Sequence, residues 1–190
     1  VSYTTICGTI AADVLIDCND IPVNGSADRI ILMNKADIDL STTTIDAAGQ
    51  ITSLAMKATK EAFEITGQNQ SITPEMSLVR QGSVSRYSHQ VGFRAFKIDQ
   101  ATKNEIEKMA NGQLVAICET LGNKYEVYGW DVGLRAEEIT RNLNDVESNG
   151  LFSVVLRTPD NLPAEPKLPR SYLNTDYDTT TTQLEGLLTA

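Results

Sequence analysis

The longest strand signal in the chain lies at residues 86–98, Arg-Tyr-Ser-His-Gln-Val-Gly-Phe-Arg-Ala-Phe-Lys-Ile. Period-two spacing puts His89, Val91, Phe93 and Ala95 on one face and Gln90, Gly92, Arg94, Phe96 and Ile98 on the other. The run is about twice the usual strand length of roughly 5 to 6 residues. With both faces of mixed polarity, part of it is expected to pack on something beyond its own core, a partner subunit being one candidate.

Other strand signals surround it. Arg29-Ile-Ile-Leu-Met33 is too short for an independent helix and rich enough in Ile for a buried strand. Most of the first 28 residues read as loop. Residues 41–54 carry β-branched runs on both sides of Ala48-Gly49-Gln50, a hairpin pattern. In residues 60–67, Phe63 and Ile65 alternate with Glu64 and Thr66, which suits a half-buried strand; a polar turn at 67–71 leads to a further strand over 75–81. Leu114-Val-Ala-Ile-Cys118 and residues 125–130 flank Gly122-Asn123, another hairpin cue, and 134–140 and 151–158 make a further pair. The one clear helix spans about 100–111. Asp99 or Thr102 can cap it, apolar positions recur at Ala101, Ile106, Met109 and Ala110, and Asn111-Gly112 stops it.

The composition changes at Pro159. Pro159, Pro163, Pro166 and Pro169 exclude a helix or a central strand there. The expected organisation is therefore a single β-rich domain over 1–158 and a Pro-rich extended C-terminal arm over 159–190. The fold class is mainly β, an antiparallel sandwich or barrel with one short α-helix. Tyr172, Leu173, Tyr177, Leu184, Leu187 and Leu188 are candidate anchors by which the arm docks on a neighbouring copy; a frayed tail is the alternative. Val91, Phe93 and Phe96 on the long strand complete the candidate subunit interface.

The 190 residues are 41% apolar and 22% charged, a globular composition. Sixteen Lys plus Arg face 25 Asp plus Glu, a net charge of −9, which disfavours tight nucleic-acid binding through clustered cations. No run approaches the roughly 18 apolar residues of a membrane span. Val1-Ser-Tyr-Thr-Thr5 has neither the basic nor the apolar region of a secretory signal, so a soluble chain is expected. Cys7, Cys18 and Cys118 lack C-x-x-C spacing and read as buried thiols of a protein assembled in a reducing cytoplasm.

Catalytic chemistry has little support in this sequence. His89 is the only histidine and lies on the Val91 and Phe93 face, where a structural role is expected; burial would leave Cys118 inert. Gly82-Ser-Val-Ser85 lacks the second glycine of a nucleophile elbow, and no phosphate-binding glycine motif occurs. Asp17 with Asp20 and Asp37 with Asp39 lack a full cation-ligand series and read as solvated loop charge. Asn24-Gly-Ser26 and Asn69-Gln-Ser71 read as turns rather than glycosylation sites. No enzyme activity, cofactor or metal is expected. Residues 1–50 hold seven Asp against Arg29 and Lys35. That is either an ordinary soluble face or the lining of a channel to which DNA does not stick.

Tyr125-x-Val-Tyr-Gly-Trp130 running into Gly133-Leu134, the polar span ending at Asn149-Gly150, and the return run Leu151-Phe-Ser-Val-Val-Leu-Arg-Thr158 resemble structural proteins of tailed-bacteriophage tails. The long strand followed by one short helix is similar to the tail-tube fold. Residues 17–35, from Asp17-Cys-Asn-Asp20 to Arg29-Ile-Ile-Leu-Met-Asn-Lys35, are similar to the start of some tail or ring components. The Pro-rich arm departs from a compact tube subunit. What the resemblance implies is a virion protein of the tail, tube or neck ring, assembled in the host cytoplasm and without membrane insertion of its own. Its implied partners are copies of itself in six-fold or twelve-fold rings, other tail or connector proteins, and DNA passing through the lumen without specific binding. The 86–98 strand and the 134–158 hairpin would then carry subunit contacts. A β-sandwich host-recognition or adhesin module is the alternative, and exposed aromatic residues on loops, with Trp130 as a candidate, would mark it.

Overall fold

The computed structural model describes residues 12–15, 17, 22–82 and 84–189. Two sheets carry the fold. The larger has seven strands in the order β2-β3-β11-β8-β7-β1-β4 and the smaller has four, β5-β6-β10-β9. The strands are β1 Ser26–Asn34, β2 Thr44–Ile45, β3 Ile51–Ser53, β4 Phe63–Thr66, β5 Thr73–Gln81, β6 Val84–Ala95, β7 Leu114–Thr120, β8 Tyr125–Tyr128, β9 Arg135–Thr140, β10 Phe152–Arg157 and β11 Arg170–Tyr172. All pairings are antiparallel except β11 with β3. Neither sheet closes, so the fold is an open sandwich rather than a barrel.

β1 and β7 form the middle of the molecule. Ile30 and Leu32 face the smaller sheet and pack with Val91, Phe93, Leu134, Val154 and Leu156. Ile31 and Met33, pointing the other way, pack with Ile51, Leu54, Val115, Ile117 and Val127. Burial on both faces is why these two strands are unbroken apolar runs without polar alternation.

The helix α1, Gln100–Met109, is capped by Asp99, whose side chain accepts from the Thr102 backbone N–H at 2.8 Å. Of the two capping residues the sequence offered, Asp99 is the one used. The hairpin expectations at 41–54 and 114–130 correspond to β2–β3 and β7–β8, with Asn123 in a left-handed turn at φ +57°. The turns expected at 24–26 and 69–71 contain Gly25 at φ +116° and Asn69 and Gln70 at φ +53° and +56°.

Residues 159–189 correct the expected extended arm and the expected single helix. Residues 159–169 do run irregularly, but the chain then inserts β11 between β3 and β8 and ends in a second α-helix, α2, Tyr177–Leu187. Residues 170–187 thus belong to the same domain as the strands they join. Asp176 caps α2 by accepting from the Thr179 N–H at 2.7 Å. The hydroxyls of Thr180, Thr181 and Thr182 donate to the carbonyls four residues back. Such bonds satisfy the hydroxyls but do not favour helix in a β-branched tract; it runs helically because Thr180, Leu184 and Leu187 bury one face against the outer side of the large sheet. Tertiary burial overrides local propensity.

Candidate functional site

The groups with the most chemical potential hold the fold together. His89 is 2% exposed, and both its ring nitrogens are used. Nδ1 accepts from the Gly129 backbone N–H at 3.0 Å, which leaves Nε2–H to donate to the Lys167 carbonyl at 3.0 Å. Burial lowers its pKa to about 4 and keeps it neutral. His89 therefore pins the Pro-rich segment to the sandwich. Cys118 is buried, and burial pushes its thiol pKa up. Cys7 and Cys18, like Asp20, lie outside the described residues.

A second pin was not visible in the sequence. Glu165, 0% exposed, accepts from three successive backbone N–H groups, Asp131 at 3.0 Å, Val132 at 2.8 Å and Gly133 at 3.1 Å. Gly129 at φ +74° and Gly133 at φ +100° bend the chain through this turn. Lys35 Nζ donates to the Trp130 and Asp131 carbonyls of the same turn, and its charge acts on Glu165. Burial raises the Glu165 pKa while the three N–H bonds pull it down. The backbone of Glu165 also exchanges two hydrogen bonds with Tyr87 of β6. A lone glutamate among prolines gives no sequence signal for this role. Among the described residues no group of three or more His, Cys, Asp or Glu is placed to hold a metal ion.

The nine candidate interface residues separate into two groups. Val91, Phe93, Tyr172, Leu184 and Leu187 are buried in the chain's own cores, so their assignment as contacts with a neighbour is corrected. Tyr172 is covered because β11 is an interior strand, and its hydroxyl donates to Gln183 of α2. Tyr177 is half-buried, stacked on Tyr125 at 5.5 Å between ring centroids, with its hydroxyl donating to Glu119. Leu188 packs partly against the same core. Phe96 and Leu173 are exposed. Trp130, the aromatic candidate of the adhesin reading, is buried.

Among the described residues, sheet edges are one kind of surface open to interaction. β5 and β9 bound the four-stranded sheet, and β4 bounds the large one. β6 is long because it forms a two-stranded hairpin with β5 that outruns β10: the β10 pairing covers residues 90–95, whereas the β5 pairing continues to Val84. Within the β10-paired part Val91, Phe93 and Ala95 are buried and Arg94 is exposed, and the strand grows more exposed toward Val84. Met76, Leu78 and Val84 are exposed on it.

At β4 the sandwich interior opens to solvent. Phe63 and Ile65 stand opposite Leu32 and Ile30, on the inter-sheet side, but among the described residues no strand of the small sheet covers them. Together with Leu32, Phe93, Ile106 and Met109 they line a groove of about 910 Å³ beneath α1. Phe63 is 51% exposed and Phe96, across the groove, 41%. The strand expected at 60–67 is present, but its apolar face is a groove wall and not a closed core.

No protein family, curated protein or solved structure matched the chain.

Proposed function

We propose that this chain is a self-assembling structural subunit whose small sheet joins edge to edge with that of the next copy, forming a ring around a conduit. The observation that carries the reading is the pair of sheet edges that no described residue pairs with, with exposed apolar side chains on the projecting β5–β6 hairpin at one side and Ile139 exposed on β9 at the other. Free edges of this length are templates for pairing, and joining β5 of one copy to β9 of the next removes both in a closed ring. The resemblance of residues 80–158 to tailed-phage tail proteins supports the finer form of the reading: a tail-tube or neck-ring subunit of the virion that lets DNA pass. A net charge of −9 suits a lumen to which DNA does not adhere.

Negative-stain electron microscopy of the purified full chain over a concentration series, with mass measured in parallel, tests the reading. Rings or tubes with a central hole are expected. A single-chain mass at every concentration sinks it.

A further inference from the structure

The groove beside β4 has the features of a strand-accepting site. Its floor is apolar, two half-exposed phenylalanines stand at its rim, and among the described residues β4 hydrogen-bonds to β1 on one side only. An added strand would extend the sheet by main-chain bonds and lay alternate side chains into the groove.

The chain itself carries a segment of matching chemistry. Residues 1–12 contain no charged side chain, and residues 4–14, Thr-Thr-Ile-Cys-Gly-Thr-Ile-Ala-Ala-Asp-Val, place Ile6, Gly8, Ile10, Ala12 and Val14 on one strand face. Six of its eleven residues are Thr, Ile or Val, types suited to an added strand, although the first 28 residues on their own read mostly as loop. The described residues of this segment, 12–14, are all exposed, Val14 at 95%. Residues 1–11 lie outside the described part, and eleven residues of extended chain reach roughly 35 Å.

We infer that the groove beside β4 receives residues 4–14 of a second copy as an added strand. This rests on the self-assembly reading above and gives it a second contact, separate from the β5 and β9 edges. Ile6, Ile10 and Val14 fill the groove between Phe63 and Phe96, and their burial removes apolar surface that each single chain leaves in water.

The test places the photocrosslinker p-benzoylphenylalanine at position 63, and separately at position 96, in the full chain. Assemblies grown from equal parts of ¹⁵N-labelled and unlabelled chains are irradiated, and the crosslinked peptides are read by mass spectrometry. The expected product joins position 63 or 96 to residues 4–14 in mixed-isotope pairs, about half of all such crosslinks. Products in same-isotope pairs only place the segment in its own groove and overturn the proposal. Assemblies that form without this crosslink overturn it while leaving self-assembly standing. A single-chain mass throughout overturns both. In parallel, Ile10→Asp is expected to raise the concentration needed for assembly at least tenfold, with Ile10→Val close to the parent; equal values for all three overturn the proposal.

Discussion

At the scale of single residues, the buried polar groups make the sharpest predictions. Glu165 satisfies three backbone N–H groups and its charge favours the nearby Lys35 ammonium, so Glu165→Ala leaves three largely buried donors without their acceptor and removes the charge that offsets Lys35. The expected cost is about 3 kcal/mol, read as a lower urea midpoint with unchanged slope. His89 has the opposite titration logic to a salt-bridged histidine. Its pKa is lowered to about 4 from 6.5, so between those values the unfolded chain takes up a proton that the folded chain does not. Stability is therefore lost as the pH falls through that window, by up to about 3 kcal/mol from this group. The raised pKa of Glu165 works in the other direction, favouring the fold as the pH falls. Urea midpoints at pH 7, 5.5 and 4.5 are expected to show the gap between the parent and His89→Asn shrinking as the pH drops. A constant gap would count against a neutral structural histidine. The structural role of His89 was legible from its place on an apolar strand face. Glu165 was not, because its partners lie about thirty residues away in sequence, in a turn whose N–H groups converge only after folding.

At the scale of elements, the helix α2 and strand β11 show how a segment unremarkable in sequence becomes part of a core. Leu184 and Leu173 are both leucines near the C-terminus, yet one is buried against Ile51 and its neighbours and the other is exposed. Leu184→Ala is expected to cost about 2–5 kcal/mol and Leu173→Ala less than about 1 kcal/mol, measured by equilibrium unfolding. Similar costs for the two would contradict the docking of α2 on the large sheet. The anchors were expected to dock on a neighbouring copy; Tyr172, Leu184 and Leu187 are buried in their own chain, while Leu173 is exposed. Local pattern cannot separate these outcomes, since an apolar residue after a Pro-rich stretch serves a neighbour or its own sheet equally well.

At the scale of the whole molecule, stability and assembly should be separable. Leu78 is exposed on the projecting hairpin and has no role in either core. Leu78→Lys puts a charge on a free edge, the usual device against edge pairing. It is expected to leave the unfolding free energy within about 0.5 kcal/mol of the parent while abolishing rings in electron micrographs. Rings persisting in this variant would exclude β5 as the joining edge. In contrast, removing residues 175–190 takes α2 off Leu54, Val127 and Tyr125 and is expected to lower stability along with any assembly.

The sequence by itself determined the strands of the two hairpins, the long β6, the helix after it, and the packing role of the only histidine; which of Asp99 and Thr102 caps that helix was decided by the structure. Those features follow from period-two or helical spacing and from turn residues within a few positions, so they are written locally. Only the tertiary structure decided that the sandwich stays open, that β11 enters the large sheet between β3 and β8, that a threonine tract is helical, and that Glu165 locks the Pro-rich crossing. Each depends on partners far apart in the chain, whose burial and hydrogen bonds outweigh local preference once the sheet has formed.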